Sequence, residues 1–342
     1  MSSSFLSEAH TDIPLDFDKP ILAVPDSHAW PKSDDAPTGD WSEKQRGIPT
    51  VDLSDPNVAE VIGRACEQWG AFQVTNHGVP LRLLKDVEAE ARRLFCLPTR
   101  QKMKALRLPG GSTGYGIPKI SNFFSKLMWH EGFTIMGSPV DHARELWPDD
   151  YERFCRVMED HQKKMKKLAK QILVLILDWL KISKEDINWL CDTSCTLALQ
   201  LNSYPSCPDP KHAMGLAPHT DTSLFTIIYQ SHGSGLQLYH DGVGWLTVSP
   251  VAGALIVNVG DILHILSNGR FLSVLHRAVV NRTQHRVSMA YFYSLPLTSN
   301  VFPLPMLTNS REKHPRYRSI MVKEYFDIKA KHLNDALSLI RT

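Results

Sequence analysis

The sequence predicts a mainly β fold with flanking helices, its last third forming a sandwich or jelly roll. Short apolar or alternating runs follow one another there, at residues 197–201, 224–229, 236–239, 245–248, 254–259, 274–280 and 287–293. Turn signals separate them, among them the hairpin dipeptides Asp241-Gly242 and Asn268-Gly269, which favour tight β connections. The longer 3.6-period patterns all lie outside this stretch. Many short strands at such spacing close into two-layered β architectures.

The elements follow in order. Residues 1–47 repeat Pro14, Pro20, Pro25, Pro31 and Pro37 without apolar periodicity, and read as an extended N-terminal arm. From Ile48 to residue 195 the chain is a mixed, mostly helical region. Residues 48–53 read as a short strand, 59–68 as a helix with Val61, Ile62 and Ala65 on one face, and 71–74 as a strand ending at Asn76-His77-Gly78. A second amphipathic helix spans 83–95 and stops before Pro98. Residues 107–124 are Gly-rich and irregular, the character of a lid or binding loop. A long helix covers 151–181. Its basic run at 163–167 reads as a solvated face, because Leu168, Ile172 and Leu175 supply the apolar one. The β core spans 196–300, and residues 301–342 close the chain with an amphipathic helix from Val322 to Ile340, expected on the outside. No internal repeat is evident.

Composition narrows the function classes. A chain of 342 residues with 22% charged residues and a formal charge of +2 folds as a globular protein and lacks the basic stripe of a nucleic-acid binder. The most apolar run, 172–180, contains Asp178 and falls short of the about 20 residues that span a bilayer. The N-terminus has no apolar signal core. Cys66, Cys96, Cys155, Cys191, Cys195 and Cys207 show no metal-finger spacing and read as thiols of a reducing compartment. A cytoplasmic monomer acting on a small molecule, without nucleic-acid or membrane partners, is expected. Phosphate-loop, dinucleotide and nucleophile-elbow motifs are missing from the sequence.

One constellation carries chemistry. In the extended segment Pro218-His219-Thr220-Asp221-Thr222, residues i and i+2 point the same way, so His219 and Asp221 can share a metal. An isolated H-x-D is a common chance match, with Asp221 capping a surface turn as its ordinary explanation. His276 strengthens the pair, because in the run 274–280 it shares a face with Val274, Ala278 and Val280 and should point inward. Two histidines and one carboxylate form the facial triad of non-haem iron(II) oxygenases. Ten residues on, Arg286 and Ser288 share a strand face. A guanidinium with a hydroxyl alongside suits a small dicarboxylate, although an edge-strand Arg paired with a local acid would look the same. Asn202 and Tyr204 face away from Leu197, Leu199 and Leu201, so Tyr204 is either a dicarboxylate ligand or a strand-end core tyrosine. His77 reads as turn geometry. His264 is taken, by strand parity from Asp261, as a core histidine. His212, His240 and His285 lie at turns or strand edges.

Assembled, these residues resemble the plant 2-oxoglutarate-dependent dioxygenase family. The likeness runs from Ile48 to the C-terminal helix and includes 48–53, 69–79, Asn202-Ser203-Tyr204-Pro205, the H-x-D, the distal His and Arg286-Val287-Ser288. The family commonly carries a second Tyr where this chain has Ser203. The resemblance implies a double-stranded β-helix (jelly roll) core, iron held by His219, Asp221 and His276, and 2-oxoglutarate held by Arg286, Ser288, Tyr204 and Asn202. It implies consumption of dioxygen, with ascorbate supporting activity. Within the family, residues 114–133 resemble the gibberellin 3-beta-dioxygenase branch, implying hydroxylation of a gibberellin at carbon 3. A gibberellin is a rigid, mostly apolar polycycle with a carboxylate. Tyr115, Ile117, Trp129, Phe133 and Phe292 are expected to line its pocket, with Lys119 or Lys126 meeting the carboxylate. Gibberellin 20- or 2-oxidation, flavonoid oxygenation, a non-catalytic binding module and a metallohydrolase remain the alternatives.

Overall fold

The computed structural model describes residues 13–31, 47–182, 195–231, 233–308 and 314–342; Cys191 and most of 32–47 of the predicted arm lie outside them. Helices, a large sheet and a small sheet form three layers. The strands are β1 (Thr50–Asp52), β2 (Ala71–Thr75), β3 (Gly114–Gly116), β4 (Glu131–Ile135), β5 (Thr196–Tyr204), β6 (Leu216–His219), β7 (Phe225–Gln230), β8 (Leu236–His240), β9 (Gly244–Thr247), β10 (Leu255–Val259), β11 (His276–Ala278), β12 (Arg286–Ser294), β13 (Asn300–Val301) and β14 (Ile320–Met321). The helices are α1 (Val58–Gln68), α2 (Leu81–Phe95), α3 (Thr99–Lys102), α4 (Val140–Leu146), α5 (Glu152–Trp179), α6 (Asp261–Leu266) and α7 (Val322–His332).

The large sheet runs β1-β2-β10-β7-β12-β5-β4-β3 and the small one β6-β11-β8-β9. They form the two layers of a jelly roll, not a closed barrel. Strand alternation divides the large sheet sharply. Phe72, Val74, Leu199, Leu201, Phe225, Ile227, Leu255, Val257, Val287, Met289 and Tyr291 belong to the main core with the helices. There they meet Leu84, Val87 and Leu94 of α2 and Met165, Leu168, Ile172 and Ile176 of α5. The opposite face turns toward the small sheet. Ala71, Ile228, Ile256, Ala290 and Phe292 pack there on Leu236, Leu238, Val248 and Val274. Polar residues share this inner face: Arg286, Ser288 and Gln230 toward one end and Thr226 toward the other.

Several expectations need correction. Residues 107–124 are not wholly irregular: β3 pairs antiparallel with β4, Tyr115 opposite Phe133. Residues 261–266 are helical, not extended, so strand parity does not apply to His264. Its ring is nonetheless structural, bonded to the Phe271 carbonyl and the Tyr317 hydroxyl. Asn268-Gly269 follows α6 with φ of 55° and 77°, terminating a helix and joining no hairpin. Asp241-Gly242 does join β8 to β9. The last helix stops at His332, where Leu333 takes φ 42°, and 3-10 turns complete the chain. The basic run on α5 is solvent-facing: Lys163, Lys164, Lys166 and Lys167 are exposed while Met165 is buried. Cys66, Cys96, Cys155 and Cys207 are free thiols. Among the described residues no helix is long and apolar enough to cross a membrane.

Gly63 of α1 shows how closely the helix layer is packed. A Cβ there would lie 2.1 Å from the Trp179 ring, and that ring is anchored by its indole N–H to Glu67 Oε1 at 3.0 Å. A helical Gly→Ala change ordinarily gains about 1 kcal/mol, whereas overpacking costs about 1–3 kcal/mol. Gly63→Ala is therefore expected to lower the thermal midpoint; a raised midpoint would contradict this packing.

Candidate functional site

The two predicted histidines meet across adjacent strands. β6 and β11 pair antiparallel with His219 opposite His276, and their ring centroids lie 4.2 Å apart. Asp221, just past β6, completes the group. Its Oδ1 is 3.7 Å from His219 Nε2 and 3.8 Å from His276 Nε2, and one ligand atom from each residue falls within 4.8 Å of the others. The orientation is built in. His219 Nδ1 bonds the Ala217 carbonyl at 2.8 Å and His276 Nδ1 bonds the Val274 carbonyl at 3.1 Å. With the protons on Nδ1, both Nε2 lone pairs face the carboxylate. The Thr226 hydroxyl donates to Asp221 Oδ2 at 2.6 Å, leaving Oδ1 for the shared centre. Burial, then the neighbouring His276, pushes the His219 pKa down to about 4, so this imidazole is neutral, as a metal requires. Two imidazoles and a carboxylate fit iron(II) and leave other positions open.

A buried polar assembly holds the His-x-Asp loop from behind. The Asp261 amide donates to the Asp221 carbonyl at 2.8 Å. The Asp261 carboxylate, fully buried, receives the Lys329 ammonium at 2.7 Å, the Tyr325 hydroxyl at 2.8 Å, the Thr220 hydroxyl at 3.3 Å and the Ser273 hydroxyl at 2.5 Å. Thr220 separates the two loop ligands and also receives Lys329. Helix α7 was expected only to pack outside; instead its buried residues Tyr325 and Lys329 reach this loop.

The residues expected to hold the cosubstrate gather on the inner face of the large sheet. β12 pairs with β5 so that Arg286 stands opposite Tyr204 and Ser288 opposite Asn202. Arg286 is 3% exposed, and its guanidinium lies 5.0 Å from the Tyr204 ring centroid. Nη2 donates to Gln230 Oε1 at 2.8 Å, while Nε and Nη1 have no hydrogen-bond partner. Such a buried guanidinium fits a carboxylate. Burial lowers its pKa and raises that of Tyr204. Asn202 Nδ2 reaches the Ser288 hydroxyl at 3.5 Å, and His130 Nε2 meets Asn202 Oδ1 at 3.0 Å. Gly235 leaves Arg286 its room, since a Cβ there would lie 2.8 Å from Arg286 Cδ. Ser203 points the other way, bonded to Glu131 and His285.

The expected substrate residues separate. Phe292 is on the inner face, opposite Thr226 in register. Tyr115 and Phe133 are not: both belong to the helix-side core. Tyr115 donates to Glu131 Oε2 at 2.7 Å beside buried Lys102, and Phe133 packs edge-on against Phe154 and His142. The physical reason is register, because Phe133 pairs with Leu201, whose side chain faces the helices. Trp129 is buried between Tyr204 and the arm residues Leu15, Phe17, Ile21 and Val24. Ile117 is buried, and its carbonyl accepts from Arg107 at 3.0 Å. Lys119 is exposed beside Ser112, and Lys126 bonds the Asp26 carbonyl.

Sequence reasoning missed Thr226, Gln230, His130, Asp261 and Lys329. Alternation within 225–230 places Thr226 and Gln230 on one face, and a lysine seven residues after Val322 sits on the buried stripe of α7. Those were the available signals.

Residues 195–295 match the 2OG-Fe(II) oxygenase superfamily, and residues 48–150 match the family described as non-haem dioxygenase in morphine synthesis N-terminal. Gibberellin 3-beta-dioxygenase 1 of Pisum sativum is 50% identical, the match covering 98% of this chain and 93% of that protein. The chain belongs to the 2OG-Fe(II) oxygenase superfamily. Gibberellin 3-beta-dioxygenase 2 of Arabidopsis thaliana is 46% identical over 96% of this chain and 95% of its own. Among solved structures, JOX2 in complex with 2OG, Fe and JA matches with a TM-score of 0.82 at 28% identity, covering 95% of this chain and 96% of that one. The rice dioxygenase for auxin oxidation matches with a TM-score of 0.72 at 25% identity, covering 86% and 100%. The chain is thus a 2-oxoglutarate-dependent dioxygenase, using iron(II) and 2-oxoglutarate.

Lys329→Met removes the cation from a buried pair, and such removal costs about 3–5 kcal/mol. The variant is expected to unfold at a markedly lower temperature than the parent. An unchanged melting curve would show that the Asp261 assembly carries no such stress.

Proposed function

We propose that this enzyme hydroxylates a gibberellin at carbon 3, with His219, Asp221 and His276 holding iron(II) and Arg286, Ser288, Tyr204 and Asn202 holding 2-oxoglutarate. The observation that carries the substrate is the near-full-length identity to gibberellin 3-beta-dioxygenases of two plants. Bound iron(II), with 2-oxoglutarate and dioxygen, supplies the oxidant: one oxygen atom replaces a C–H hydrogen by hydroxyl, and the other ends in succinate as carbon dioxide leaves.

The chain's own residues bind and orient. Arg286 offers Nε and Nη1 to the distal carboxylate, and the Ser288 and Tyr204 hydroxyls flank it. Gln230 fixes the guanidinium through Nη2. His130, held near pKa 4 by burial, keeps Asn202 in place as a neutral group. The inner apolar cluster with Phe292 excludes water and suits an apolar polycycle.

The decisive assay incubates the enzyme with iron(II), ascorbate, 2-oxoglutarate and a panel of gibberellins, with products identified by mass spectrometry. A 3-hydroxylated product is expected; oxidation only at carbon 2 or carbon 20, or none, would overturn the assignment. Asp221→Ala is expected to abolish turnover and weaken iron binding measured by equilibrium dialysis, and full activity would reject the triad. Arg286→Ala is expected to raise KM for 2-oxoglutarate by 100-fold or so, the scale of a lost charged pair at about 3 kcal/mol, and to leave KM for the gibberellin nearly unchanged. Equal effects on the two would reject its role.

A further inference from the structure

We propose that Arg107 receives the carboxylate of the hydroxylated substrate. The inference rests on the gibberellin reading for the acid itself, and on the geometry below for the residue.

Arg107 is 7% exposed and reaches the inner face from the loop preceding β3. Its Nη1 donates to the Ile117 carbonyl at 3.0 Å and its Nη2 to the Thr134 hydroxyl at 3.3 Å. Thr134 pairs with Gln200 in register, and its hydroxyl donates to Gln200 Oε1. Gln200 shares its strand face with Asn202 and Tyr204 by alternation. The Arg107 guanidinium therefore stands on the face that carries Arg286. From Gln200 to Tyr204, the partner of Arg286, is four residues, about 13 Å along the strand. Two buried guanidinium groups thus sit on one surface with room for two separate anions.

The stretch of sheet between them is closely packed. Gly116 and Gly132 pair side by side, and Gly132 pairs with Asn202. A Cβ on Gly132 would lie 2.5 Å from Gln200 Nε2 and 2.9 Å from His130 Cε1, so glycine here lets these two side chains lie directly on the strand backbone. His130 borders it, 1% exposed, with Nδ1 lacking a hydrogen-bond partner. With Nε2–H donating to Asn202, Nδ1 is an acceptor suited to a substrate hydroxyl. Arg107 and Arg286 both stand close enough to His130 to lower its pKa further. The lysines nominated from sequence do not compete for this position, since Lys119 is exposed at Ser112 and Lys126 is tied to the arm. An arginine stays charged when buried and grips a carboxylate with two parallel bonds.

The test compares a gibberellin acid with its methyl ester in the wild type, R107M and R107K. Sites built to pair a polar group discriminate strongly against analogues lacking it. The wild type is expected to prefer the acid by about 30-fold or more in kcat/KM, with R107K intermediate. R107M should show acid and ester within about threefold, through a raised KM for the acid. KM for 2-oxoglutarate and substrate-free succinate formation should stay within about twofold, which reports an intact fold and iron site. A wild type without acid preference, an R107M that keeps it, or an R107M whose KM for 2-oxoglutarate rises equally would overturn the inference alone. A wild type that turns over no gibberellin acid would overturn the proposed function and this inference with it.

Discussion

The buried carboxylate of Asp261 is the constraint on which the loop carrying His219 and Asp221 depends. Its side chain gathers Lys329, Tyr325, Thr220 and Ser273, while its own amide grips the Asp221 carbonyl. A buried anion is tolerable only when paired and hydrogen-bonded, so these partners must all be in place together. They come from the loop between the ligands, the approach to β11 and the C-terminal helix. Segments remote in sequence are thereby fixed to one another at the point where the ligand loop needs rigidity.

The second organising feature is the division of labour across the large sheet. Every second side chain of β12, β5 and β7 belongs to the helix-covered core, and the intervening ones face the small sheet. Stability and chemistry are thus carried by the same strands without sharing residues. Arg286 lies against Tyr204 and Gln230 while Val287, its neighbour, is wholly buried among leucines and methionine. Arg286 is consequently mounted on a strand that cannot slide without turning its apolar residues outward.

This division also explains what was legible in the sequence. His219 with Asp221, and Arg286 with Ser288, are i, i+2 pairs, and alternation within a single strand suffices to place them. His276 needed only the inward parity of its own run. Tyr115 and Phe133 were misassigned because the phase of β4 is set by hydrogen bonding to β5, a pairing no local pattern encodes. Residues 261–264 read as an extended run because four residues are too few to separate a strand from a short buried helix. Lys329 and Asp261, 68 residues apart, meet only through the return of α7.

The glycine at position 132 carries a consequence for engineering. A Cβ at Gly132 would press on Gln200 Nε2 and His130 Cε1, so a side chain there must first move those two groups. A single substitution at Gly132 would thus be felt at Asn202 through His130, and at Arg107 through Gln200 and Thr134.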